Sequence, residues 1–98
     1  MNSKQELIST LIDIKRHLRN LRNSIHPNLK QEYSKHSEEI DELMEKFVNT
    51  STIIQQKDLA VLKNLKDKIN PGGHPHNQSP VEVVGQIGKY LKQMLDNQ

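Results

Sequence analysis

Residues 7–25 read LISTLIDIKRHLRNLRNSI. Within them Leu7, Leu11, Ile14, Leu18, Leu21 and Ile25 recur at alternating spacings of four and three. A helix turns 100° per residue, so this rhythm keeps all six side chains on one stripe, the pattern of a helix packed lengthwise against others. Ile8 and Ile12 widen the stripe in its first half. Ser3 and Glu6 form an S-x-x-E capping box just upstream, so the helix is predicted to begin near residue 4. His26-Pro27 ends it near residue 25, because the residue before a proline is pushed out of the helical region.

Three further segments carry a helical rhythm. Leu29, Tyr33, Ile40, Leu43, Met44, Phe47 and Val48 predict a helix over about 29–49, with Glu38, Glu39, Asp41, Glu42 and Glu45 along its outside. Asn49-Thr50-Ser51-Thr52 reads as a boundary, since these side chains compete for backbone hydrogen bonds. Ile54, Leu62, Leu65 and Ile69 then predict a third helix over about 52–69, or a continuation of the second if the boundary is only a bend. Residues 70–79 hold two Pro and two Gly and form the one clear linker. Ser79-Pro80-Val81-Glu82 opens a fourth helix over about 80–96, with Ser as cap, Pro at the first position and Glu at the third. Gly85 and Gly88 cost that helix propensity and are expected where another helix comes close. The expectation is an all-α, up-down antiparallel bundle of four helices, three if 49–52 only bends, filling residues 1–98 as one domain.

Composition limits the function. Apolar residues make up 33% of the chain, below the globular average, which predicts a thin aliphatic core and favours a protein partner or self-association. The formal charge of +2, from 14 basic and 12 acidic residues, is too balanced to imply nucleic-acid binding by itself. With no cysteine, disulfide frameworks, thiolate zinc sites and thiol catalysis are excluded. No apolar run suits a membrane span, and charged residues interrupt the N-terminal segment early, so a soluble cytoplasmic protein is expected.

Lys15, Arg19 and Arg22 form a basic stripe beside the apolar seam. It can contact phosphates, or pair with Glu38, Glu42 and Glu45 of the second helix and set the arrangement of the two. His74 and His76, with no carboxylate or Cys nearby, make at most an opportunistic metal site. No Ser-His-Asp pattern, phosphate-cradling glycine loop or H-E-x-x-H is present.

Arg19-Asn20-Leu21-Arg22-Asn23-Ser24-Ile25-His26-Pro27 resembles the motif of the HEPN family, small helical bundles that include metal-independent ribonucleases. Arg19-Asn20 with His26 matches the family's longest Arg-to-His spacing, whereas Arg22-Asn23 stands too close to His26. The resemblance implies His26 as base on a ribose 2′-hydroxyl and Arg19 as stabiliser of the phosphorane charge. The last helix is similar to that of colicin-type nuclease immunity proteins, which are acidic where this chain is basic overall, and no residue role is carried over from them. The reading preferred from sequence is a small non-enzymatic interaction module: an adaptor, inhibitor or assembly subunit without metal or cofactor. Its candidate contact residues are Lys15, Arg19, Arg22, Gly85 and Gly88. The alternative is an RNA-binding helical protein, in its sharpest form a HEPN-like ribonuclease.

Overall fold

The computed structural model describes residues 3–23, 25–50, 53–69 and 80–97. They form four helices: α1 (Ser3–Arg22), α2 (Lys30–Asn49), α3 (Gln56–Lys68) and α4 (Pro80–Asp96), with a 3-10 turn over Pro27–Leu29 leading into α2. The all-α bundle expected from the four apolar rhythms is what forms. The linker segment 70–79, with His74 and His76, lies outside the described residues.

The seam of α1 does what its spacing requires: Leu7, Leu11, Ile14, Leu18 and Leu21 are all buried. The helix ends three residues before the predicted point, and Ile25 reaches the core from outside it. His26 caps the 3-10 turn, its Nδ1 accepting the Asn28 N–H at 3.2 Å. Pro27 supplies the first position of that turn, where a missing N–H costs nothing.

The larger departure is the start of α3. The spacing predicts helix from about 52, but residues 53–55 are not helical, and Gln55, extended at φ −97° and ψ 148°, stands at the helix entrance. Two adjacent β-branched residues, Ile53 and Ile54, resist the helical backbone here. Ile54 is nonetheless buried, so it fills the core from a non-helical segment, while Ile53 is 77% exposed. Upstream, Thr50 closes α2 with extended backbone, and both its N–H and its hydroxyl donate to the Lys46 carbonyl.

Successive helices reverse direction. Tyr33, early in α2, donates to the carbonyl of Leu18, late in α1, and Lys4 at the start of α1 reaches the Thr50 carbonyl beyond the end of α2. Tyr90, late in α4, donates to Asp58 in the first turn of α3 at 2.6 Å. Side by side, however, stand α1 with α2, α2 with α4, α4 with α3 and α3 with α1. The consecutive helices α2 and α3 are therefore diagonal, and α2 and α4 run parallel: His36 lies against Gly85 and, one turn on, Ile40 against Gly88. By the same logic α1 and α3 are parallel, joined across their surface by Lys63 and Glu6 at 3.4 Å. A diagonal step in a bundle with helices 8–10 Å apart spans about 11–14 Å. The six residues 50–55 can reach at most about 20 Å, which is ample.

Candidate interaction surface

The Lys15–Asp41 ion pair fixes the register between α1 and α2. Because the helices are antiparallel, two turns toward the start of α1 and two toward the end of α2 bring Ile8 opposite Val48. Ile12 lies between, level with Met44 and Glu45. Ile12 and Val48 are each 46% exposed, and Ile8 and Met44 are half-buried. These residues form an apolar lip along the outside of the α1–α2 pair. Beside it stands Glu45, and above it the columns become charged: Arg16 and Arg19 on α1, Asp41 and Glu38 on α2, all exposed.

The basic stripe lies where its spacing placed it, on the α2 side of α1. Lys15, Arg19 and Arg22 line a groove with Tyr33, Ser34, Ser37 and Glu38. Its pairing differs from expectation. Glu38, Glu42 and Glu45 were the anticipated partners, but the ion pair formed is with Asp41. The reason is a rotation of one residue. Burial of Tyr33, Ile40 and Phe47 turns α2 so that positions 37, 41, 44 and 48, not 38, 42 and 45, face α1. Arg19 and Arg22 make no ion pair among the described residues. Within the groove the Tyr33 phenol has its pKa raised. Burial is the main cause, with its hydrogen bond to Ser37 and the Arg22 charge acting the other way.

Gly85 and Gly88 sit on α4 where α2 approaches closest. A Cβ at Gly85 would meet the His36 ring at 3.1 Å; one at Gly88 would meet Ile40 at an ordinary 3.8 Å. The approach these glycines permit is thus that of α2, inside the chain. His36 stands between Glu32 at 3.7 Å and Glu39 at 3.9 Å, a position that no sequence motif marks. At the opposite end of the bundle, Asp58 holds the Tyr90 hydroxyl. That hydrogen bond, followed by burial, pushes the phenol's pKa up to about 12.

The helical spacing marks the basic stripe but not the apolar lip beside it: Ile8 and Ile12 widen the core face of α1 in the sequence pattern, and Val48 belongs to the apolar rhythm of α2. The signal was present in Val48, which falls seven residues after Asp41 and therefore on the same flank of α2. No helix among the described residues is long and apolar enough to cross a membrane. Set against family models, curated proteins and solved structures, the chain matches none.

Proposed function

We propose that the protein is a small non-enzymatic, cytoplasmic interaction module that binds a protein through the outer face of α1 and α2. The observation that supports this reading is the apolar lip of Ile8, Ile12 and Val48 bordered by charged columns. Isolated exposed aliphatics need no explanation, but aligned ones with a charged rim resemble the build of a contact surface. The test compares the native chain with an Ile12→Asp/Val48→Asp double variant as baits in an extract of the native host, read by mass spectrometry. The expected result is a protein captured by the native chain and lost by the variant, with unchanged circular dichroism. Identical captures would remove the lip from the reading.

A second reading draws on Arg19 and Arg22, exposed and without an ion pair among the described residues: an RNA-binding module, or in its sharpest form a HEPN-like ribonuclease with His26 as base. Labelled RNA incubated in EDTA at low and moderate salt separates it from the first. Salt-sensitive retention identifies phosphate contacts, and cleavage lost in His26→Ala identifies the nuclease. Neither effect is expected under the first reading.

A further inference from the structure

The geometry points to a second copy of this chain as the partner of the α1–α2 face, in a two-fold dimer whose axis runs parallel to the two helices. This rests on the interaction reading above and specifies its partner.

A two-fold contact must be self-complementary. Two orientations of the axis bring the α1–α2 faces of two copies together. An axis perpendicular to the helices lays α1 on α1 and α2 on α2, so the basic flank of one α1 meets the basic flank of the other and the acidic faces of the two α2 helices meet. An axis parallel to the helices lays α1 of one copy on α2 of the other without changing height along the bundle. The Lys15–Asp41 pair then sets the level of every contact. Arg19 stands level with the partner's Glu38. Arg16 stands within one residue of the level of the partner's Asp41. Ile8 comes level with the partner's Val48, and Ile12 with the partner's Met44. Each contact occurs twice, and each joins unlike charges or apolar groups.

Of the charged residues invoked, Arg16, Arg19 and Glu38 are exposed and form no ion pair among the described residues. Pairing within one copy therefore does not consume them. The area is also adequate. Two 20-residue helices, about 30 Å long and about 10 Å apart, offer roughly 600 Å² per copy. The total of roughly 1,200 Å² lies at the lower end of specific interfaces and fits a reversible dimer.

Sedimentation equilibrium tests the inference with three samples at about 100 μM, a concentration that populates complexes of micromolar Kd. The native chain is expected to be dimeric. Arg19→Glu and Glu38→Arg, each alone, place like charges at both symmetric contacts and are expected to be monomeric with native circular dichroism. Mixed in equal amounts they are expected to dimerise again, because Glu at position 19 of one chain meets Arg at position 38 of the other, and the two native residues meet at the second contact. If either chain loses its helical signal, Arg19→Asp and Glu38→Lys take its place in the same design. A monomeric native chain overturns the dimer, while loss of a captured protein in the Ile12→Asp/Val48→Asp bait would still uphold the interaction reading. A dimeric native chain whose mixed variants stay monomeric overturns this face and axis.

Discussion

The antiparallel pair α1–α2 and the parallel pair α2–α4 share a helix but are held together differently. Between α1 and α2 the seam is fastened by polar ties: the Tyr33 hydroxyl on the Leu18 carbonyl and Lys15 on Asp41. Its outer edge leaves Ile12 and Val48 half in water. Between α2 and α4 the seam is fastened by proximity. Two glycines let the backbone of α4 come up to His36 and Ile40, and Val84, Ile87 and Leu91 are wholly buried. A pair tied by side-chain reach can keep apolar surface for outside use, whereas a pair closed by backbone approach uses its surface within the fold.

Breaking the first pair should have the largest effect. Leu18 is buried in the α1 seam, directly under the Tyr33 tie. Leu18→Ala should cost about 2–5 kcal/mol in urea unfolding, and a smaller loss would mean that α1 can close over the missing volume. The second pair can be sharpened instead. Gly88→Ala should stabilise by up to about 1 kcal/mol, because the new methyl finds Ile40 at an ordinary distance while helix propensity improves. Gly85→Ala offers the same propensity gain but forces the His36 ring aside, so its measured gain should fall below that of Gly88→Ala. Equal gains at both sites would show that His36 does not confine the seam.

A pH-dependent effect concerns the α3–α4 pair, which like α1–α2 is antiparallel and tied by a tyrosine. The Tyr90 pKa is raised to about 12 when folded, against an ordinary value of 10.0. A raised phenol pKa means that folding favours the protonated form. The stabilisation is therefore complete below pH 10 and lost as the pH rises toward 12. Urea midpoints of the native chain should fall more steeply over that range than those of Tyr90→Phe. Parallel curves would remove the Asp58 tie from the balance.

What could be read from sequence follows from which forces are local. The α1 seam was legible because its burial depends only on a repeat within one helix. The His26-Pro27 stop was legible because steric exclusion acts between adjacent residues. The start of α3 was not: Ile54 is apolar and buried whether the backbone is helical or extended, so pattern alone cannot distinguish the two. The placement of α2 beside α4 depends on tertiary packing that no single segment records. The site shows the same division. Lys15, Arg19 and Arg22 share one flank by spacing alone, but the choice of Asp41 over Glu38, Glu42 and Glu45 needed the rotation of α2 about its own axis. That rotation is set by Tyr33, Ile40 and Phe47 entering a core shared with other helices.

The diagonal step from α2 to α3 also bears on how the chain is made. Synthesis proceeds from the N-terminus, so α1 and α2 can close their hairpin as soon as Asn49 is available. The neighbour of α2 on its other side is α4, complete only at Asp96, 47 residues later. At ~5–20 residues per second that gap lasts about 2–9 s. During it the flank of α2 carrying His36, Ile40 and Leu43 awaits a helix not yet translated, so an apolar surface that the finished bundle buries stays uncovered on the nascent hairpin.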